Sequence, residues 1–367
     1  MQILAAQDEV STVDSANLPA PCETDIFVSG QGGYHTYRIP AIVVSQAGTI
    51  LAFCEGRKHS SSDSGDIDLL LRRSFDNGRT WQPKQVIWDN GEDTIGNPCP
   101  VVDQSTGTIW LPFCRNNDRV YVTRSIDDGN NWSTPVDITS GLKLPSWDWY
   151  ATGPGHGIQL STGRLLIPCD HGPEDIWDSR DAQYSHVIYS DDHGLSWKLG
   201  GILSETTDEC EAVETFEGHI YLNMRGHSGK KCRAYAWSKD RGETWSEVEW
   251  DETLVDPPCQ GSVVRFTDGP RHDKDRVLFC NPASTEREKL TVRLSYDECR
   301  TWTAGKVLWP GPAAYSDLCV LPDMTICCLY EAGDDHPYEN IRFARFTLDW
   351  LTDGADRLSG TRVKASQ

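Results

Sequence analysis

The sequence offers little that would build helices. Gly and Pro, at 31 and 20 of 367 residues, interrupt the chain every few positions, and no long apolar stripe at a 3.6-residue period appears. Long apolar runs are missing as well, so no segment is suited to crossing a membrane as a helix. Cationic residues are scarce: 34 Lys and Arg stand against 55 Asp and Glu, a formal net charge of −21. That balance argues against nucleic acid or an anionic membrane as a partner. It also means that any anion site must be made by a local concentration of Arg. The chain holds no CxxC pair, no Cys/His set at zinc-ligand spacing, no GxGxxG and no P-loop, so neither metal nor cofactor is expected. The 13 Cys are odd in number and include the adjacent pair Cys327-Cys328, which reads as reduced, mostly buried thiols in strands. The start, Met1-Gln-Ile-Leu-Ala-Ala-Gln-Asp-Glu, lacks a basic region and a sustained apolar stretch. No signal peptide is expected from it, although a secreted chain with its leader removed would look the same.

What the chain does have is one phrase repeated five times: Ser, any residue, Asp, any residue, usually Gly, any residue, usually Thr or Ser, then Trp. The copies run from Ser74 to Trp81, Ser125 to Trp132, Ser190 to Trp197, Ser238 to Trp245 and Ser295 to Trp302. Their starts at 74, 125, 190, 238 and 295 give intervals of 51, 65, 48 and 57 residues. A period near 50 residues marks a propeller or solenoid, and it suits one four-stranded blade with its loops. β-Prone runs such as Leu69-Leu70-Leu71, Val120-Tyr121-Val122 and Val187-Ile188-Tyr189 precede the copies. Asp and Gly then supply a hairpin turn, and the Trp is expected to restart the next strand and pack the turn on its own hairpin. Cys299 stands where the fifth copy should have Gly, so that turn is expected to be altered. Residues 1–22 are polar and acidic and read as a tail, leaving 23–367 as a single domain.

Between the repeats lie the segments that carry chemistry. Tyr37-Arg38-Ile39-Pro40 opens the first strand, where by itself it also fits a surface Arg on an edge. The loop from Glu55-Gly56-Arg57 to Asp68 is rich in Ser and Asp, and fits a solvated loop, a cation-binding loop or a functional loop. The combination of Tyr-Arg-Ile-Pro with the repeated boxes resembles the exo-α-sialidase (neuraminidase) superfamily, of the non-viral bacterial and animal type. The likeness continues through Glu55-Gly-Arg57 with Asp63 six residues later, Gly153-Pro-Gly-His156-Gly-Ile-Gln159, Asn223-Met-Arg225 and Tyr315-Ser-Asp-Leu318. It covers about residues 24 to 350, in order.

The resemblance implies a six-bladed β-propeller of four-stranded antiparallel blades, one of them built from both chain ends. It implies three arginines for a substrate carboxylate, falling on Arg38, Arg225 and Arg287, with Arg293 the alternative to the last. Converging at the propeller axis, they would make a positive pocket and hold one carboxylate by bidentate, charge-assisted bonds. Tyr315 matches the nucleophile. A neutral hydroxyl avoids the repulsion that a carboxylate would meet at an anomeric carbon bearing its own carboxylate, and sialidases are the Tyr exception among glycosidases. Glu209 matches the base that activates it, ahead of Glu211 and Glu214 in the same strand. Asp63 is the expected general acid, carried on a mobile loop with its pKa raised by desolvation, or else working at mildly acidic pH. Arg57 is expected at the rim, and Glu331 matches the acid that holds Arg38. His156 reads as a turn or supporting residue rather than a base.

The implied activity is retaining exo-hydrolysis of terminal sialic acids from glycoproteins, glycolipids and oligosaccharides through a tyrosyl-enzyme. A hydrolase of a related nonulosonic acid, a trans-sialidase and a non-catalytic glycan-binding propeller are the alternatives. Contacts to the N-acyl and glycerol groups are expected among Trp147 to Tyr150, Cys169 to His171 and Asp181 to Tyr184, where the aromatics fit packing equally well.

Overall fold

The structure is a computed structural model that describes residues 19–173 and 182–358, and of Glu205 the backbone alone. Of the expected tail, residues 1–18 lie outside the described residues, and Cys22 already opens a strand. The described chain is all β apart from one four-residue helix, Leu348–Leu351. No helix among the described residues is long and apolar enough to cross a membrane.

The all-β propeller expectation stands, but the expected six four-stranded blades do not. The strands form five hydrogen-bonded sheets, of seven, five, five, four and four strands, and only two match the expected four-stranded unit. Two causes are visible. Lys306–Val320 is 15 residues long and pairs with Glu288–Ser295 along its first half and Ile326–Ala332 along its second. It therefore fuses two stretches of chain into the seven-stranded sheet. The repeated box marks a turn between neighbouring strands, so it cannot report where one sheet ends. Elsewhere an irregular stretch splits an innermost strand in two: Ile95–Gly96 and Val101–Val102 both pair with Ile109–Arg115, and Trp149–Thr152 and Ile158–Gln159 both pair with Leu165–Gly172.

Both chain ends meet in the largest sheet. Cys22–Val28 runs antiparallel to Asn340–Phe346, with Cys22 opposite Arg345. Consecutive sheets pack on one another, and the seven-stranded sheet packs back on Thr36–Val44. The core follows this arrangement as clusters between sheets. Phe53 and Leu69 pack with Ile109 and Phe113 of the next sheet, and Leu166 and Val187 with Leu222 and Ala236 of a later pair. Because sheets are covered on both faces, strands such as Ile50–Arg57 are buried at every position.

The boxes share one hydrogen-bond pattern. In the first, Ser74 donates to Asp76 (2.9 Å), Gly78 N donates to Ser74 Oγ (2.9 Å), and Thr80 N donates to Asp76 (2.8 Å). The fifth keeps it unaltered: Cys299 takes φ 66° and donates its N–H to Ser295 Oγ at 2.9 Å. The other boxes need Gly for a second reason. A Cβ on Gly78 would meet Phe343 at 2.1 Å, and one on Gly194 would meet Trp110 at 2.2 Å. Cys299 instead fills an apolar gap beside Val213, Val263 and Phe279. The box Trp residues also reach beyond their own hairpins. Trp81 packs edge-on to Phe343 (5.0 Å) and Trp132 to Phe53 (5.8 Å), each in an adjacent sheet. Each box is thus a wedge between sheets.

Gly78→Ala is expected to cost roughly 2–4 kcal/mol, from left-handed strain and overpacking together. Cys299→Gly should stay within about 1 kcal/mol of the parent, since relief of strain offsets lost burial. Urea midpoints measure both, and equal effects would contradict the wedge.

Candidate functional site

The inner strands deliver side chains to one end of the axis. The three that carry Arg38, Glu209 and Tyr315 are irregular at the point of delivery. Thr36–Val44 slips register between Arg38 and Ala41, where Pro40 cannot donate and Ile39 is held at φ 60°. A β-branched residue in that region is strained by about 1–3 kcal/mol, so its neighbours must hold it. Thr207–Glu214 slips between Thr207 and Cys210, beside Glu209, and Lys306–Val320 slips between Ala313 and Ser316, beside Tyr315. Such bulges bend a strand and re-aim a side chain.

The result is a pocket of about 260 Å³ whose lining includes Arg38, Arg57, Asp63, Glu209, Arg225, Arg287 and Tyr315. At its centre the Tyr315 hydroxyl donates to Glu209 Oε1. Arg225 Nη1 donates to the same hydroxyl at 3.0 Å and to Glu209 Oε2 at 2.7 Å. The Arg38 and Arg287 guanidiniums lie 5.0 and 5.4 Å from the Tyr315 ring centre. Burial and the Glu209 charge push the Tyr315 pKa well above its ordinary value, against the lowering pull of Arg225, Arg287 and Arg38. The phenol is therefore neutral, with a carboxylate in place to take its proton.

Glu331, with no exposed surface, organises the floor. It accepts from Arg38 Nε (2.7 Å), from Ile39 N (2.9 Å) and from Tyr315 N (3.2 Å). One carboxylate thus fixes an arginine, the strained residue after it and the backbone of the tyrosine.

Asp63 sits on the loop before Ile67–Ser74. Gly65 N donates to Thr94 Oγ1, Thr94 Oγ1 donates to Gly65 O (both 2.9 Å), and Asn117 donates to Asp63 O, so the loop is tied to the next sheet. Its carboxylate accepts from Arg57 Nη1 at 2.7 Å and lies 3.7 Å from Arg38 Nη1. Burial would raise its pKa, but Arg57 and then Arg38 leave it below the usual value, opposite to the expected direction. Arg57 is not at the rim. It is 2 % exposed and committed to Glu55, Asp63 and the Ser61 carbonyl.

The remaining candidates separate cleanly. Arg287 lines the pocket, whereas Arg293 turns away and donates to Asn281. Glu211 is buried further down the axis, and Glu214 bonds Ser161 at the strand's far end. Trp149, Asp170 and Gln183 line the pocket, while Trp147 stacks on His171 and Tyr150 is buried in the core. Burial, with Asp208 and Glu209 nearby, pushes the Asp170 pKa well up. Asp181 lies outside the described residues.

Nor is the pocket simply positive. Arg38 is matched by Glu331, Arg57 by Glu55, and Arg225 by Glu209 and Asp208. Arg287 differs, because its partners are the Tyr338 hydroxyl (2.5 Å) and the Pro258 carbonyl (3.4 Å), with no carboxylate among them. Tyr338 also lies under Arg38, 3.8 Å from ring centre to guanidinium. Sequence reasoning missed Tyr338, which stands in a loop with no motif, and the anchoring roles of Glu55 and Asp208. The Arg next to each acid in the fold was the signal, but only the fold supplies that adjacency.

Among the described residues, two groups bring three potential metal-ligand atoms within 4.8 Å: His156, Glu211 and Asp317, and Asp66, Asp68 and Asp89. Each already has a cationic side chain. Lys58 reaches Asp66, Asp68 and Asp89 at 2.8, 3.2 and 3.3 Å, and His156 itself stands beside Asp317 at 2.6 Å.

Known proteins resemble this chain over most of its length. The BNR repeat-like domain family matches residues 48–328. The chain is 35 % identical to a sialidase of Micromonospora viridifaciens, covering 91 % of this chain and 55 % of that protein. It is 33 % identical to an exo-alpha-sialidase of Aspergillus fumigatus, covering 95 % of this chain and 91 % of that one. Among solved structures, the Hadza microbial sialidase Hz136 superposes with a TM-score of 0.81 at 29 % identity, over 90 % of this chain and 69 % of that chain.

Glu331→Gln leaves the Arg38 guanidinium buried without its carboxylate. A loss of about 3 kcal/mol in unfolding free energy is expected by chemical denaturation. Parental stability would show that Asp63 alone suffices for Arg38.

Proposed function

Because this chain belongs to the sialidase family of glycoside hydrolases, and so hydrolyses sialic acid linkages, we propose that it acts as a retaining exo-α-sialidase through a tyrosyl-enzyme intermediate. One observation carries the finer reading: a neutral Tyr315 hydroxyl donating to Glu209 among three guanidiniums, at the bottom of a pocket sized for one sugar.

In this reading the substrate carboxylate binds Arg38, Arg225 and Arg287, with Arg287 contributing the charge least compensated by protein. Tyr315 oxygen attacks the anomeric carbon while Glu209 takes the phenolic proton. The bond to the leaving oxygen breaks, and Asp63 supplies that oxygen with a proton. The glycosyl–tyrosine is then opened by water, with Asp63 as base and Glu209 returning the proton to Tyr315. The arginines stabilise the phenolate as it forms, an electrostatic contribution already in place before reaction.

Asp63 needs particular conditions to act as an acid. Arg57 and Arg38 hold its pKa low in the free protein. A bound carboxylate on Arg38 would offset that field and move the Asp63 pKa upward. The acid form is therefore a property of the substrate complex and is favoured at low pH. Sialylated glycans are the substrates, and the fit to one sialic acid over another nonulosonic acid rests with the wall of Trp149, Asp170 and Gln183.

A 3-fluoro-sialosyl fluoride should label Tyr315, and a label on Glu209 would overturn the assignment. Tyr315→Phe should lower turnover of a 4-methylumbelliferyl sialoside to near background. Turnover should rise as pH falls from 8 toward 5. Asp63→Asn should cost about 10²–10⁴-fold on a sialyl-oligosaccharide, whose leaving group needs a proton. It should cost far less on the 4-methylumbelliferyl substrate, and equal losses on both would remove Asp63 from the acid role.

A further inference from the structure

Beneath the pocket, the strands that carry Arg38, Glu209 and Tyr315 meet a second time. Glu211 and Asp317 each follow a pocket residue by two positions, about 7 Å further along the strand. Both are buried, and His156 stands against them, with Nδ1 2.6 Å from Asp317 Oδ1 and 3.8 Å from Glu211 Oε2. The third strand enters through its backbone, since Ile42 N donates to Asp317 Oδ2 at 2.7 Å. Glu211 is held from its other side by Val263 N (2.9 Å) and Gln260 Nε2 (3.2 Å). The same Gln260 accepts from Ser316 N, the residue after Tyr315, at 3.0 Å. Space for Glu211 depends on Gly155, where a Cβ would meet its Oε1 at 1.7 Å. His156 does not line the catalytic pocket. It lines a separate cavity at the other end of the same strands, with Ile42, Ala212 and Leu318.

We propose that His156 is a positioning residue: bonded to Asp317 and set against Glu211, it fixes the separation of the strands that carry Glu209 and Tyr315. The inference rests on the reading of those two residues as base and nucleophile. Ser262–Thr267 runs between those strands and bonds both acids, through Val263 N to Glu211 and Ser262 Oγ to Asp317, and the His156 ring adds a direct tie from one acid to the other. That tie lies one layer below the proton transfer, where a small change in strand spacing becomes a change in the distance from Tyr315 to Glu209. Misplacement by about 1 Å in a catalytic constellation can cost on the order of 10²-fold in rate.

The groups facing His156 fix the sign of its pH dependence. Burial alone would lower its pKa, but Asp317 and then Glu211 carry it up to about 9. Glu211 is itself pushed up by burial and by Asp317, and burial keeps the nearby Cys99 thiol neutral. The raised pKa of His156 means its contribution to stability is complete below about pH 6.5 and lost as pH rises through about 9.

The test compares the wild type with His156→Leu, His156→Asn and Tyr315→Phe on the 4-methylumbelliferyl sialoside. His156→Leu should lower kcat by about 100-fold with KM within about threefold, because the three arginines are untouched. His156→Asn keeps an N–H toward Asp317 without the charge, so it should recover part of kcat while losing the fall in melting temperature between pH 6.5 and 9. Folded variants with kcat within twofold of wild type would overturn the proposal, as would a raised KM at unchanged kcat. If neither variant folds, the wild type decides: a melting temperature flat from pH 6.5 to 10 overturns the clamp. Loss of turnover in Tyr315→Phe but not in His156→Leu would overturn the positioning role alone. Full turnover in Tyr315→Phe would overturn the catalytic reading beneath it.

Discussion

Burying a carboxylate is costly unless hydrogen-bond donors surround it, and in this protein one such carboxylate gathers the site. Glu331 accepts from an arginine side chain and from two backbone N–H groups, and these lie at the two ends of the chain. Arg38 takes its direction from that bond, Ile39 its strained backbone and Tyr315 its place beside Glu209. The arrangement recurs in weaker form around the pocket. Glu55 holds Arg57 and the backbone of Asn97, while Asp208 is shared by Arg225 and His227. The site is thus a set of buried acids, each fixing a cationic side chain beside it.

Much of the fold was readable because the box has a mechanism. Its Ser and Asp satisfy the turn's own N–H groups, and that local chemistry survives in all five copies, even with Cys299 in place of Gly. What the box could not report was anything between sheets. The fusion through Lys306–Val320 depends on a long strand continuing to pair, and the split strands at 95–102 and 149–159 lie well away from any box. Neither leaves a pattern in eight residues. The wedge role of Gly78 and Trp81 likewise needs Phe343, which lies more than 260 positions away.

The pocket shows the same division. Arg38, Arg225, Arg287, Glu209 and Tyr315 line one pocket, and each could be singled out because a resemblance attaches to short motifs along the chain. Their electrostatics were not legible. Three arginines in a chain of net charge −21 suggested a positive cup, yet paired acids consume most of that charge. Asp63 was expected to have a raised pKa and has a lowered one, since two guanidiniums outweigh its desolvation. Tyr338 was invisible, although it touches two of the three arginines. Charge balance is a sum over neighbours, and a sequence lists neighbours only along the chain.

The pairing of Cys22–Val28 with Asn340–Phe346 also sets an order of events during synthesis. An N-terminal strand whose partner emerges some 320 residues later must wait, with its edge open, while every intervening sheet forms. Those intervening sheets can assemble one after another from local hairpins, but Thr36–Val44 has no neighbour on its outer side until Lys306–Val320 arrives. Glu331 is made later still. The arginine, the strained isoleucine and the tyrosine backbone therefore acquire their shared acceptor only once residue 331 has been made. Until then the first strands keep an open edge, the kind of surface that chaperones shield.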